Sequence, residues 1–404
     1  MDPDGRQLLV TFAGRDRPGQ AAVLFEVIAR HGRSVIDIEQ IEIHGRLLLA
    51  VAVSAPGGAG GDAPTDAQLV EELTMAAGSL GLTVDWEELV GAPEASNGAR
   101  HHVTVLAARL PAATMAAVSG AVAECGATMT RIVRLAAKPV VAFELEVTGG
   151  QGDDLRRALA GVAARCEIDV AVQRAGLYRR AKRLVVLDVD STLIQDEVID
   201  LLAEEAGCAA EVAAVTESAM AGEMDFEASL RARVRLLAGL GEEQLHAVGR
   251  RVRLTPGAGT LVRTLRLLGC EVALVSGGFS AVIDGLAATL GITLTASNEL
   301  EVVGGKLTGE VAGPVVDRAG KAAALVRFAE MTGVPLNQTV AVGDGANDID
   351  MIATAGLGVA FNAKPVVRAA ADATVSVPYL DAILFLLGIS LKEIEAAEHE
   401  PSLP

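Results

Sequence analysis

Asp188, Asp190, Ser191 and Thr192 stand almost side by side, directly after the apolar run Leu184-Val185-Val186-Leu187. A short, β-branched run with no polar break is the pattern of a strand buried on both faces of a parallel sheet. Such sheets collect ligands at the carboxyl ends of their strands, so both acids should emerge at one working edge. Two carboxylates that close repel one another unless a proton or a cation separates them. A hard, oxygen-seeking cation such as Mg²⁺ is the natural partner, and Mg²⁺ in turn points to a phosphate-bearing substrate. One acid followed by hydroxyls would pass for a helix cap, but two acids with further polar groups elsewhere ask for more.

Two more apolar runs end in the same way. Val272-Ala273-Leu274-Val275 leads into Ser276-Gly277-Gly278, a hydroxyl plus glycines whose bare backbone N–H groups can approach phosphate oxygens closely. Thr339-Val340-Ala341-Val342 leads into Gly343-Asp344-Gly345-Ala346-Asn347-Asp348, which adds carboxylates for a metal and an amide for orientation. This segment lacks the alternating acids and terminal Glu of a helix–loop–helix calcium site. Lys321, after Ala319-Gly320 near the start of a helical run, can place an ammonium on the same phosphate.

The elements that must position these groups follow from the punctuation of the chain. Its 404 residues allow two or three domains, and 51% hydrophobic against 21% charged residues is a globular composition. From residue 183 to 390, strands alternate with helices, which is the mark of a doubly wound parallel α/β sheet. The helical stretch at about 196–254, without a good strand, reads as an inserted cap, and 391–404 as a C-terminal tail. Residues 1–90 show the order βαββαβ, with strands at 7–13, 34–43, 46–54 and 81–87 and helices at 21–31 and 66–80. Residues 101–174 repeat that order more loosely. Breaks at 57–65, 91–100 and 174–183 separate the parts.

Composition removes several function classes. A net charge of −18 and the absence of a basic surface argue against nucleic acid as a partner. No apolar run is long enough to span a bilayer, and the acids and Arg that precede the first apolar stretch do not read as a signal peptide. Four scattered cysteines, Cys125, Cys166, Cys208 and Cys270, form neither a disulfide framework nor a zinc site, and fit reduced thiols in a cytoplasm.

Asp188-Val-Asp-Ser-Thr, Ser276-Gly-Gly, Lys321 and Gly343-Asp-Gly-Ala-Asn-Asp together resemble the four motifs of the haloacid dehalogenase superfamily of phosphotransferases. Within it the nearer resemblance, over residues 183–390, is to the phosphoserine phosphatases. Glu197, the segment Thr216-Glu-Ser-Ala-Met220 with Phe226, and Ser229-Leu-Arg-Ala-Arg233 carry that sharper likeness. It implies that Glu197, Met220, Phe226 and Arg233 line the substrate pocket under the cap. The residues agree, because O-phospho-L-serine presents an ammonium for Glu197 and a carboxylate for a bidentate arginine, while Met220 and Phe226 would exclude water. Arg231 and Arg235 are equally available by type, and only the resemblance singles out Arg233. The N-terminal modules resemble ACT domains, small units that bind amino acids. Asp16-Arg17-Pro18-Gly19 matches their ligand loop, whereas the second copy, with Leu110-Pro111-Ala112-Ala113, departs from it.

What the resemblance implies is a Mg²⁺-dependent hydrolysis of O-phospho-L-serine to L-serine and phosphate, the last step of serine biosynthesis. Asp188 is then the nucleophile and Asp190 the general acid and base. Mg²⁺ is held by Asp188, Asp344 and the backbone carbonyl of Asp190. Lys321, Ser276 and the Gly277 amide hold the phosphoryl oxygens, while Asn347 and Asp348 orient substrate and metal. Regulation by an amino acid, L-serine first, at Asp16 to Gly19 and a homodimer or higher homo-oligomer are the further expectations. A phosphomutase of the same fold and an amino-acid sensor with a vestigial catalytic domain are the alternatives. A transport ATPase would need membrane spans.

Overall fold

Every residue of the strand Leu184–Asp188 is buried, because both faces of the sheet around it are covered. Val185 and Leu187 point into one apolar cluster, Leu184 and Val186 into another. The computed structural model describes residues 7–54, 65–89, 98–176, 179, 181–221 and 223–399. They divide into two units, Met1–Ser96 and Asn97–Pro404, each taken by itself below.

The strands of the chain are β1 Gln7–Arg15, β2 Val35–Ile43, β3 Arg46–Ser54, β4 Leu82–Leu89, β5 Arg100–Ala107, β6 Ala127–Ala136, β7 Val141–Gly149 and β8 Asp169–Arg174. They continue with β9 Leu184–Asp188, β10 Glu271–Phe279, β11 Leu294–Val303, β12 Lys306–Ala312, β13 Thr339–Gly343, β14 Gly358–Phe361 and β15 Ala373–Val375. In the second unit, β9 to β15 form one seven-stranded sheet of order β12-β11-β10-β9-β13-β14-β15. All neighbours are parallel except β11 and β12, and the order reverses at β9, so the crevice of a doubly wound fold opens between β10 and β13.

Between β9 and β10 the expected helical insertion is present, with helices at Val198–Ala206, Ala209–Met220, Phe226–Leu236 and Glu242–Gly249. The first buries Val198, Ile199, Leu202 and Ala203 at helical spacing and ends at Gly207 in the left-handed region, φ 75°. The third starts at Asp225, whose side chain accepts from the Ala228 N–H at 2.7 Å. The β11–β12 hairpin was not read from the sequence, because its polar, half-exposed residues lack the apolar run of the other strands. It braces the insertion: Gly239 N donates to Leu307 O at 2.8 Å, and Leu307 N to Leu240 O at 2.9 Å.

The same unit contains β5 to β8, a four-stranded antiparallel sheet of order β6-β7-β5-β8 with helices Ala112–Glu124 and Gly152–Cys166. One face packs on its own helices. The other shares a continuous apolar core with the large sheet, in which Leu106, Ala142 and Ala171 join Val375, Val377 and Leu384. Asp169, 2% exposed, seals this contact by accepting from Ser376 N at 2.6 Å and from the hydroxyls of Ser376 and Thr374 at 2.9 Å. Gln173 Nε2 donates to Leu386 O at 2.7 Å, and Arg179 forms a buried ion pair with Glu144.

The first unit has β1 to β4 in the order β2-β3-β1-β4, backed by helices Gln20–Arg30 and Asp66–Ser79. Both βαββαβ modules are therefore present, as expected. The glycine-rich loop at 57–64 and residues 91–97 of the linker lie outside the described residues. Edge strand β2 is exposed along its whole length, with Ile36, Ile38, Ile41 and Ile43 each 42–51% accessible. Among the described residues no helix is long and apolar enough to cross a membrane, and the four cysteines are unpaired.

Candidate active site

The carboxyl ends of β9, β10 and β13 and the inserted helices enclose a cavity of about 570 Å³. Its wall includes Asp188, Asp190, Glu197, Phe226, Arg233, Gly277, Lys321, Asp344 and Asn347, so nine of the residues singled out by sequence meet in one place. They arrive from three strand ends, one core helix and two cap helices or their caps, far apart in the chain.

At the floor, Lys321 is fully buried and its ammonium bridges two carboxylates, Asp188 Oδ1 at 2.5 Å and Asp348 Oδ1 at 2.6 Å. The helix that carries it, Arg318–Thr332, begins at Asp317, whose side chain accepts from Gly320 N at 2.7 Å. Burial alone would lower the Lys321 pKa, but the charges of Asp188 and Asp348 overcome it and raise it. Asp190 is held from two sides: Oδ1 accepts from Val198 N at 2.8 Å and Oδ2 from Ser276 Oγ at 2.9 Å. Ser276, expected on the phosphoryl oxygens, is fully buried and spends its hydroxyl on Asp190 and on the Gly278 N–H at 2.7 Å.

The glycines are there for space. A Cβ on Gly278 would lie 2.8 Å from Asp190 Oδ2, and one on Gly343 would lie 2.3 Å from Asp348 Cγ. The acids can sit this close to the strand ends only because the neighbouring residues carry no side chain.

On the cap side, Ser191 turns the chain through the left-handed region, φ 59°, and its hydroxyl donates to Glu197 Oε1 at 2.7 Å. Arg233 is half-buried, and the Phe226 ring stands 3.1 Å from where a Cβ on Gly277 would be, so the cap touches the core loop there. Met224 lines the cavity, and the side chain of Met220 lies outside the described residues. Thr216, the first residue of the segment that carries the family likeness, also faces the cavity, as do Asp200 and Lys364, which were not singled out because nothing in the sequence distinguishes them from surface polar residues. Asn298, 1% exposed, was missed too: its amide donates to Gly277 O at 2.8 Å and accepts from Val316 N at 2.8 Å, which fixes the glycine loop. The signal was present in a buried-polar position, but only on a strand that the sequence did not reveal.

Electrostatically the cavity is short of cations. Burial and the charge of Asp348 raise Asp188 well above the usual carboxylate range, and burial raises Asp190. Burial and Asp348 bring Asp344 to about 6, while loss of solvent and the charge of Asp190 bring Glu197 to about 7. Carboxylate oxygens of Asp188, Asp344 and Asp348 lie within 4.8 Å of one another, a spacing that suits one hard cation. Asp348 already accepts from Lys321 and, through Oδ2, from Gly345 N at 3.0 Å. Asp188 and Asp344 are therefore the members with a free oxygen to offer, and the donor set fits Mg²⁺.

Residues 185–353 match the haloacid dehalogenase-like hydrolase family, and residues 6–87 and 99–173 each match an ACT domain. The phosphoserine phosphatase of Streptomyces coelicolor is 52% identical, over 97% of this chain and 94% of its own. Phosphoserine phosphatase SerB2 of Mycobacterium tuberculosis is 48% identical, over 97% of this chain and 95% of its own. The solved structure of a probable phosphoserine phosphatase from Vibrio cholerae, in unliganded form, is 35% identical, with a TM-score of 0.57 over 75% of this chain and 90% of its own. Near-complete coverage at this identity, on a haloacid dehalogenase-like core with two ACT domains in front, places the chain in the phosphoserine phosphatase family.

Proposed function

We propose that the protein hydrolyses O-phospho-L-serine to L-serine and phosphate, through an aspartyl-phosphate on Asp188 and with Mg²⁺ as its metal. The observation that carries this reading is the presence of both Glu197 and Arg233 in the wall of the same cavity that holds Asp188, Asp190 and Lys321. A phosphate, an ammonium and a carboxylate each meet a group of opposite charge there.

In the first transfer a carboxylate oxygen of Asp188 attacks phosphorus, and the bond from phosphorus to the serine oxygen breaks. Asp190 gives its proton to that leaving oxygen; its raised pKa, caused by burial, favours carrying the proton before the reaction. In the second transfer Asp190 takes a proton from water, whose oxygen attacks phosphorus and frees Asp188 and inorganic phosphate. Ser276 and Val198 keep Asp190 aimed throughout. Lys321 and the Gly277 amide hold phosphoryl oxygens, and Asn347 orients the substrate. Asp188, Asp344 and the backbone carbonyl of Asp190, with Asp348 behind them, would hold Mg²⁺, which when bound would supply positive charge against the transferring phosphoryl group. Phosphate release from a panel of phospho-amino acids and sugar phosphates, with and without Mg²⁺, tests the reading. Preference for another ester, or turnover and covalent labelling that persist in Asp188→Asn, would refute it.

The ACT domains support control of this activity by an amino acid, with the product L-serine first. Gly19, at φ +88°, starts helix Gln20–Arg30, and Gln20 ties the loop by accepting from Arg17 N at 2.9 Å and donating to Arg15 O at 3.1 Å. Valine at Gly19 would strain this backbone, so Asp16→Ala is the cleaner probe. It should blunt inhibition by serine without changing uninhibited turnover, and an unchanged inhibition curve would assign serine to the active site as product. The long apolar edge of β2 supports a homo-oligomer, most simply a two-fold dimer, which the mass of the protein in solution tests.

A further inference from the structure

The chain crosses twice between the large sheet and the inserted helices, outward at residues 194–197 and back at residues 252–255. At this crossing Gln195 N donates to Arg253 O at 2.9 Å, Gln195 Nε2 to Leu254 O at 2.9 Å and Thr255 N to Leu193 O at 2.9 Å. The side chain of Asp196 closes the ribbon. Its Oδ2 accepts from the backbone N–H of Arg253 at 2.8 Å, and its Oδ1 from Arg253 Nη2 at 2.6 Å and Nε at 3.2 Å. Both oxygens are therefore spent on one residue of the opposite strand.

Two features make this contact more than a surface ion pair. Asp196 is only 10% exposed while Arg253 is 68% exposed, so the acid is built in and the arginine folds down onto it from solvent. Asp196 also directly precedes Glu197, and its backbone carbonyl accepts from Ser191 N at 3.4 Å, while the Ser191 hydroxyl holds Glu197. The clasp, the turn after Asp190 and the carboxylate that faces the cavity are consecutive pieces of one short segment.

We infer that Asp196 and Arg253 are positioning residues that set how the cap, and Glu197 with it, meets the phosphoryl site. This rests on the reading that Glu197 and Arg233 recognise the amino-acid end of phosphoserine. Because the pair is open to water on the arginine side, it contributes little to global stability, and its loss should be felt in substrate geometry. The guanidinium supplies two of the three contacts and the backbone N–H the third. The effect should therefore be graded: Asp196→Ala largest, Arg253→Ala smaller, Arg253→Lys smallest.

The test compares L-phosphoserine with p-nitrophenyl phosphate, which has no ammonium or carboxylate, on the full-length Mg²⁺-loaded enzyme. Asp196→Ala should raise KM for phosphoserine about fivefold or more, leave kcat within about twofold, and leave both constants for p-nitrophenyl phosphate nearly unchanged. An equal loss on both substrates, or unchanged constants for both, overturns the inference. If Asp196→Ala fails to fold, the exposed Arg253 variants carry the same comparison, with Arg253→Lys nearer to the unaltered enzyme than Arg253→Ala. If the unaltered enzyme hydrolyses p-nitrophenyl phosphate but not phosphoserine, the substrate assignment fails instead.

Discussion

Lys321→Met removes the ammonium at the floor of the site and leaves a chain of nearly the same volume. Two carboxylates that it now separates, Asp188 and Asp348, are then buried and face each other with no cation between them. Breaking a buried pair by removing one partner costs about 3–5 kcal/mol, because the remaining charge has neither water nor a partner. At the low end of the roughly 2–4 °C per kcal/mol found for domains of 150–250 residues, this is a fall in Tm of about 6–10 °C at most. The unit Asn97–Pro404 is larger than that range, so the low end applies.

Asp188 already has a folded-state pKa above its unfolded value through burial and the charge of Asp348, and losing Lys321 raises it further. A carboxyl group raised in this way stabilises the fold below its unfolded pKa, and that stability is lost as pH rises through the folded one. The Tm gap between variant and unaltered protein should therefore widen from pH 5 to pH 8. Adding Asp348→Asn should close much of it by removing one of the two charges. Thermal unfolding by circular dichroism at the two pH values, without added metal, measures this. Turnover of the single variant should fall about 10²–10³-fold, the usual cost of one lost donor to a transferring group. A gap that is absent, or that does not change with pH and is not relieved by Asp348→Asn, would refute the view that Lys321 neutralises these acids.

Arg233→Ala should lower kcat/KM for L-phosphoserine by about 10–150-fold, the loss of a charged hydrogen bond of roughly 1.5–3 kcal/mol, and change p-nitrophenyl phosphate far less. Parallel losses in steady-state kinetics would make Arg233 structural. Mg²⁺ should support turnover and Ca²⁺ should inhibit, because a larger and looser coordination sphere misplaces Asp188 relative to phosphorus; full activity with Ca²⁺ alone would contradict the metal assignment. A chain beginning at Asn97 should remain soluble and active without amino-acid control. One beginning at Arg183 would expose the apolar face around Val377 and Leu384 and should aggregate, as light scattering would show.

The parts of the site that were legible in the sequence are those where chemistry and strand periodicity coincide. Asp188, Asp190, Ser276 and Asp344 each end or closely follow an apolar strand, so residue type and position support each other. Arg233 shows the limit of that route: on helix Phe226–Leu236 it shares its residue type with Arg231 and Arg235, and only resemblance separated them. In the fold, Arg231 bonds to Glu227 and Arg235 pairs with Glu310, and Arg233 is the one of the three that lines the cavity. Asn298 was not legible, because β11 lacks the apolar run that announces a strand; Lys364 follows the apolar strand β14, but a lone lysine there has the residue type of a solvated surface position. Their roles come from tertiary placement, which no local pattern encodes.

The second βαββαβ module makes the same point on a larger scale. Its sequence departs from the ligand loop of the first module, and that departure was the one sign that the two copies serve different ends. The structure gives a physical reason. One face of its sheet is committed to the phosphatase core, and Asp169 is buried where an unpaired carboxylate would be costly, with its oxygens satisfied by Ser376 and Thr374. β15, which carries or adjoins those partners, also accepts from Asn362 N at 2.8 Å through Val375 O, and Asn362 begins the turn that brings Lys364 to the cavity. The buried contact therefore ties this module to the far edge of the large sheet. The first module keeps the loop Asp16-Arg17-Pro18-Gly19 that the second lacks, and the amino-acid control proposed above is to be tested there.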